Sequence, residues 1–258
     1  MIPIRDSVPC RRPTPVVAGL IAVNALVFLM VWSLPPQGVA AVIGDYALIP
    51  LRYTEPAWAR AKGLDPTDYA PFLTNTFLHG GWLHVILNMW TLWIFGCAVE
   101  DRLGAARFTL LYFASGIIAS ASHFAFNAAS PVPALGASGA IAGVIGAYAV
   151  RFPRARVVLL VPVLFLPLLF QVPALAFAAI WFALQVLQGA QEILAPTMAG
   201  GIAWWAHVGG FLAGVGLILV LRPPPGRGPR PPLQPPPPPG WRIRRRTRVP
   251  AVRGPWER

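Results

Sequence analysis

The most constraining feature of this chain is a series of apolar runs, each long enough to cross a bilayer as a helix. The stretches Val16–Leu34, Gly81–Val99 and Phe108–Phe126 contain almost no charged residues. Roughly 18 or more such residues in a row are typical of a transmembrane helix. Charged residues make up 12% of the sequence, about half the share found in ordinary soluble domains. The chain is therefore predicted to be all-α, a polytopic helical membrane protein.

Three further apolar stretches complete a predicted bundle of six transmembrane helices. They run from Ser138 to Val150, from Val172 to Gly189 and from about Trp205 to Leu221. The residues from 157 up to the fifth helix are apolar but interrupted by prolines, which indicates an interfacial segment rather than another span. Residues 35–79 form a proline-rich loop, predicted to be partly structured at the membrane surface.

The membrane domain is predicted to cover residues 16–221, between a tail at 1–15 and a Pro/Arg-rich, disordered tail at 222–258. The first apolar run exceeds the 7–15 residues of a signal peptide, which favours an uncleaved helix. The Ala40-Ala41 neighbourhood leaves a cleaved signal peptide as the alternative.

Arginine bias orients the predicted bundle. With six helices both termini share one side, and most arginines before residue 222 collect there: Arg5, Arg11, Arg12, Arg102, Arg107, Arg151, Arg154 and Arg156. The opposite side holds the long loop, in which both charge signs occur. Because positive loops face the cytoplasm, both termini are expected to be cytoplasmic, in a bacterial inner membrane. The arginines of the C-terminal tail either reinforce this topology or bind anionic lipids of that leaflet.

The remaining composition indicates neither nucleic-acid binding nor a cofactor. The net charge is +12, but much of it lies after Leu221 rather than on a folded basic face. Cys10 and Cys97 match no metal-ligand spacing, and a disulfide between them is not expected. The lipid bilayer is the expected surrounding, and the sequence carries no signal for an oligomeric state.

Three polar side chains are predicted to lie at one depth in the membrane. At about 1.5 Å per residue, Ser138, His207 and Asn88 stand roughly 18–22 Å above the first charged residue at the inner end of each helix. In a hydrocarbon core of about 30 Å, this places all three about 10 Å below the outer surface. Buried polar groups need partners inside the bundle, so a shared polar cavity open to the outside is predicted.

Glycine patterns allow the helices that carry these residues to approach each other. Gly139-x-x-x-Gly143 follows Ser138, and Gly210-x-x-x-Gly214 follows His207. Small residues at this spacing permit close contact between helix backbones. Taken alone, these patterns favour simple helix packing, and the closer indication is that each glycine face begins beside a candidate reactive residue.

The residue types in the cavity are those of a serine nucleophile and its base. Serine needs a base to react near neutral pH, and histidine is the usual one. His84 and Asn88 share a helix face, and with the Ser138 amide they are candidates to stabilise an oxyanion. The alternative for this pair is an interhelical polar clamp.

Other proteolytic chemistries lack their residues. Lys62 is the only lysine and lies in the long loop, and a His-Glu-x-x-His zinc site is missing. An aspartyl protease needs two carboxylates within the membrane, but the nine acidic residues fall in loops, tails or helix ends. Because no acidic residue is clearly placed to orient His207, a Ser–His dyad is predicted. Glu192 is the alternative third member. His79 is interpreted as fixing a loop by hydrogen bonding, and His123 as an interhelical contact.

These residues occur in an ordered set that resembles the rhomboid intramembrane serine proteases. The set comprises Phe77-Leu78-His79-Gly80, His84-x-x-x-Asn88, Phe95-Gly96, Glu100-x-x-x-Gly104, Gly136-Ala137-Ser138-Gly139, Gly201, and Ala206-His207-x-x-Gly210-x-x-x-Gly214, within about residues 70–221. The family's interfacial loop typically carries a Trp-Arg pair. The loop of this chain has no clear pair of this kind, and Leu51-Arg52-Tyr53 is the nearest match.

The resemblance implies a six-helix fold that cleaves transmembrane protein substrates near their outer ends. Ser138 would be the nucleophile and His207 the base, with His84, Asn88 and the Ser138 amide as oxyanion donors. The fifth helix and the loop after it are similar to the family's substrate gate. Two other classes of function compete with this one. They are a non-catalytic rhomboid-like protein that retains membrane clients, and a transporter or channel, whose expected intramembrane charges or repeats are missing.

Overall fold

The computed structural model describes residues 2–163, 166–194 and 203–224. In chain order its α-helices are α1 (Pro15–Trp32), α2 (Pro36–Tyr46), α3 (Leu51–Thr54), α4 (Pro56–Ala61), α5 (Pro71–Thr74), α6 (Trp82–Thr91), α7 (Cys97–Leu103), α8 (Ala105–Phe126), α9 (Ser138–Arg151), α10 (Ala174–Leu194) and α11 (Trp204–Val220). A π-helical segment, Leu92–Gly96, joins α6 and α7 into one continuous helix.

The predicted fold class, a helical bundle that crosses the membrane several times, is confirmed. Four of these helices are long and apolar enough to cross a membrane: α1, the continuous α6–α7 helix, α8 and α10. Two shorter apolar helices, α9 and α11, accompany them, which is consistent with the predicted six. The C-terminal tail after residue 224 and the loop at 195–202, for which disorder and a gate were predicted, lie outside the described residues.

The short helix α9 forms the centre of the bundle. It has 14 residues, a length of about 21 Å, and its side chains from Gly139 to Ala149 are all buried. It packs most extensively against α11 and α8.

Glycines set the contact between α9 and α11. A methyl group on Gly210 would overlap the Gly139 carbonyl, and one on Gly214 would overlap the backbone of Gly143. The predicted small-residue faces are therefore the faces through which these two helices touch.

The start of α1 is held by a carboxylate from α7. Glu100, 1% exposed, accepts hydrogen bonds from the backbone N–H groups of Val16 (3.0 Å) and Val17 (2.8 Å). The first N–H groups of a helix have no partner within the helix, and a negative charge is favourable there. Glu100 thus anchors α1 to α7.

The loop between α1 and α6 is folded rather than extended, and Arg52 is its clamp. The Arg52 side chain is buried and donates to the carbonyl oxygens of Asp65 (2.7 Å), Asp45 (3.3 Å) and Gly44 (3.4 Å). It also pairs with the Asp68 carboxylate at 3.4 Å. In Leu51-Arg52-Tyr53 the arginine therefore organises α2, α3 and the turn at 65–68.

A three-stranded antiparallel sheet contains the segment that was predicted to be interfacial. Its strands are β1 (Ile2–Asp6), β2 (Arg156–Val163) and β3 (Leu166–Pro173), in the order β1-β2-β3. Val157 lies opposite Val172 in β3, and Leu160 opposite Ile2 in β1. Prolines disrupt a helix but are tolerated at strand ends and edges, so this apolar run forms a hairpin, and α10 begins at Ala174 instead of Val172.

The expectation that Cys10 and Cys97 are not bonded was wrong. The two form a disulfide, with Cα atoms 5.9 Å apart and a sequence separation of 87. The N-terminal segment folds back along α7, where Arg12 pairs with Asp101 at 3.3 Å. Sequence spacing does not reveal such a return of the chain, because it is decided by tertiary contacts.

Candidate active site

Ser138 is the first residue of α9, and the backbone before it is bent at Gly136. Gly136 has φ +127°, a conformation that glycine adopts without strain. A Cβ atom at this position would also stand 2.7 Å from Nε2 of His84. Both constraints require glycine here, and the Gly136 N–H donates to the Asn75 carbonyl at 2.9 Å.

His207, in the first turn of α11, contacts Ser138. Its Nε2 lies 2.8 Å from Ser138 Oγ, and the imidazole is buried, 8% exposed. The ring is held between Trp181 of α10 and Trp204, with centroid distances of 5.7 and 6.3 Å. The close approach of α9 and α11 brings the two predicted residues within hydrogen-bond distance.

A third side chain in contact with His207, Gln185 of α10, was missed in the sequence. Its Oε1 lies 2.7 Å from His207 Nδ1. The alternative third member, Glu192, makes no such contact. A lone amide on a buried face of an apolar span is costly without a hydrogen-bond partner. This cost could have identified Gln185 in the sequence as a residue with a partner inside the bundle.

His84 and Asn88 of α6 stand beside the turn that precedes Ser138. A Cβ on Gly136 would lie 2.7 Å from His84 Nε2 and 3.6 Å from Asn88 Nδ2. The Gly80 N–H points to His84 Nδ1 at 3.4 Å, which leaves the ring proton on Nε2. Asn88 Nδ2 is buried and has no hydrogen-bond partner among the described residues. Two N–H donors therefore face the approach to Ser138.

The other two histidines lie near helix ends. The His79 ring packs edge-on against His84, with ring centroids 5.0 Å apart, and its loop-fixing hydrogen bond stays a prediction. Burial, followed by the proximity of His84, lowers the pKa of His79 to about 4. His123 is buried, and its Nδ1 lies 3.3 Å from Asn127 Nδ2, so its partner is at the end of its own helix rather than on another one.

No group of three or more His, Cys, Asp or Glu side chains with a metal-binding arrangement occurs within residues 2–163, 166–194 and 203–224.

A multi-pass helical membrane protein with a buried serine–histidine contact is the class that this fold and site define. The chain matches the rhomboid domain family over residues 66–224, more than half of its length. It belongs to the rhomboid family.

Relatives come from mitochondria and from a bacterium. The chain is 29% identical over 210 residues to the mouse (Mus musculus) presenilin-associated rhomboid-like protein, mitochondrial, covering 78% of this chain and 47% of that protein. It is 30% identical over 208 residues to rhomboid protein 1, mitochondrial, of Saccharomyces cerevisiae, covering 79% and 52%. A shorter match, 48% over 75 residues, is to the rhomboid protease GluP of Bacillus subtilis, covering 29% and 14%. The chain thus spans about half the length of the mitochondrial relatives.

Proposed function

We propose that this chain is a serine endopeptidase that hydrolyses peptide bonds in or near the transmembrane segments of membrane proteins. Membership of the rhomboid family supports intramembrane proteolysis in general. The observation that carries the specific proposal is the contact of 2.8 Å between Ser138 Oγ and His207 Nε2. A nucleophile and its base must lie within this distance for the proton to pass between them.

In the proposed acylation step, the Ser138 oxygen attacks the substrate carbonyl carbon while His207 Nε2 takes the hydroxyl proton. His207 then gives that proton to the leaving amine as the C–N bond breaks, which leaves an acyl-enzyme on Ser138. Water attacks the ester in the second half, with His207 again accepting a proton, and Ser138 leaves with its own proton restored.

The negative oxygen of the tetrahedral intermediate needs hydrogen-bond donors. The His84 Nε2–H, the Asn88 amide and the Ser138 backbone N–H are proposed for this role, since the first N–H groups of a helix have no partner within the helix. The buried, unpartnered Nδ2 of Asn88 supports this proposal, because a buried donor without an acceptor is costly unless it serves a bound group.

We also propose that the termini lie on the cytoplasmic side of a bacterial inner membrane, so that the site opens toward the outer face. Arginine bias supports the orientation, whereas the Cys10–Cys97 disulfide counts against it, because disulfides are rare in a reducing cytoplasm. The bacterial relative supports the compartment, while the mitochondrial relatives make the mitochondrial inner membrane the competing location. The substrates would be membrane proteins whose spans enter from that outer face.

The test uses the purified full chain in detergent and in liposomes, with a fluorescent fluorophosphonate and a model transmembrane substrate. Wild type should be labelled and should cleave. Ser138→Ala and His207→Ala should do neither. Ser122→Ala, a serine substitution in the neighbouring helix α8, is the matched control and should keep both activities.

Cleavage that survives Ser138→Ala would contradict the proposal. Folded wild-type protein that stays inert in liposomes but binds membrane clients would instead favour the non-catalytic class of rhomboid-like protein.

A further inference from the structure

Gln185 lies beside Nδ1 of His207, the ring nitrogen that does not contact Ser138. The side chain is buried, 6% exposed, on the face of α10 turned toward α11. Its Nε2 donates to the Trp181 carbonyl one turn earlier at 3.2 Å. A carbonyl can only accept, so the amide nitrogen must face Trp181 and the amide oxygen must face His207.

This orientation selects one tautomer of His207. The Gln185 oxygen, 2.7 Å from Nδ1, can only accept a hydrogen bond, so Nδ1 carries the ring proton. A neutral imidazole has a single N–H, and Nε2 is therefore left with a lone pair directed at Ser138 Oγ. The opposite tautomer would place two acceptors 2.7 Å apart at Nδ1 and a proton on Nε2, which could not then act as a base.

The same contact continues to act after proton transfer. When His207 takes the serine proton, both ring nitrogens become donors, and the bond from Nδ1 to the Gln185 oxygen becomes charge-assisted and stronger. The oxygen is neutral, so this stabilisation is smaller than that from a carboxylate.

We propose that Gln185 is a positioning residue for His207. The site is then a hydrogen-bonded chain of Ser138, His207 and Gln185 in place of an isolated dyad. The inference rests on the proposed function, since it assigns the orientation of the proposed base. Gln185 does not touch the reacting atoms and acts through the imidazole.

The test compares two substitutions of Gln185 with one of its neighbour. Gln185→Leu removes the acceptor at similar size, Gln185→Glu keeps an acceptor at the same reach, and Gln188→Leu changes an exposed glutamine of the same helix. We expect Gln185→Leu to lower kcat by about 10–100-fold, with KM within about two-fold of wild type. Gln185→Glu should recover most of kcat, and Gln188→Leu should match wild type.

A second measurement reads the tautomer without relying on catalysis. In protein labelled with ¹⁵N-histidine in detergent micelles, wild type should show a pyridine-type Nε2 and a pyrrole-type Nδ1 for His207. The His207→Gln variant assigns these signals among the four histidines. Gln185→Leu should give a mixture of the two tautomers.

The outcomes separate the two levels of inference. An active wild type whose kcat and tautomer are unchanged by Gln185→Leu would overturn the role of Gln185 and leave the protease proposal standing. A wild type with the expected tautomer but no reactivity of Ser138 in detergent or liposomes would overturn the proposed function instead.

Discussion

Replacing Gly139 by alanine should force α8 and α9 apart. A Cβ atom on Gly139 would stand 2.6 Å from the Cβ of Ala119 in α8. Carbon atoms in contact prefer a separation of about 3.5–4.0 Å. Both atoms are attached directly to helix backbones and have no rotamer to escape into, so relief requires a displacement of about 1 Å between the helices.

The consequence for the site follows from its position next to this contact. Ser138 precedes Gly139 directly, and its Oγ lies 2.8 Å from His207 Nε2. Because α11, which carries His207, also packs against α8, a shift of α9 away from α8 moves Ser138 relative to His207. A change of up to about 1 Å takes the Oγ–Nε2 distance beyond the roughly 3.5 Å at which a hydrogen bond is lost. A misplacement of this size costs about 100-fold in rate, so kcat for substrate cleavage should fall by about that factor.

Stability should also fall, by about 1–3 kcal/mol for the overpacked contact. The better helix propensity of alanine returns up to about 1 kcal/mol of this.

The assay measures cleavage of a transmembrane substrate, fluorophosphonate labelling and thermal unfolding for a set of matched variants. Gly216→Ala adds the same methyl group where nothing lies within 4 Å, and should behave as wild type. The double variant Gly139→Ala/Ala119→Gly removes the opposing methyl group and should regain most of the lost kcat. Wild-type kcat in Gly139→Ala, or a double variant no better than the single one, would refute this reasoning.

Three further predictions concern other contacts. Asn88→Ala should lower kcat by about 100–1,000-fold with little change in KM, as measured by initial rates, if Asn88 contacts only the transition state; a change confined to KM would contradict this role. Because the folded-state pKa of His79 is about 4 against 6.5 in the unfolded chain, protonation favours unfolding, and stability should drop by about 3 kcal/mol as pH falls from 6.5 to 4. Denaturation of His79→Leu should show a smaller drop over the same range, and an equal drop would rule His79 out as its source. Arg52→Leu leaves three backbone carbonyl oxygens without their donor and should destabilise the loop by about 2–4 kcal/mol. Faster proteolysis between α2 and α5 would detect this. Arg60→Leu, at an exposed arginine of the same loop, is the control.

The transmembrane helices were predictable because the bilayer imposes their length and composition on the sequence. The third predicted run ends at Phe126, as α8 does, and the sixth differs from α11 by one residue at each end. Arg222 follows the sixth run directly, since a charged residue is unfavourable in the interior of the membrane.

The hairpin and the disulfide were not predictable in this way. Residues 156–173 are as apolar as a span, and period alone does not distinguish a buried strand from a helix segment. Their strand conformation depends on pairing with Ile2–Asp6, more than a hundred residues earlier in the chain. The bond between Cys10 and Cys97 depends on the same return of the N-terminal segment.

The sequence alone determined which residue types occur in the apolar helices, and helix rise and bilayer thickness converted their spacing into a predicted depth. Ser138, His207 and Asn88 could be placed at one level by that conversion. Depth does not specify the rotation of a helix about its own axis, however, which depends on side-chain packing with its neighbours. The tertiary structure decided that rotation for α10, and with it the contact of Gln185 with the imidazole of His207.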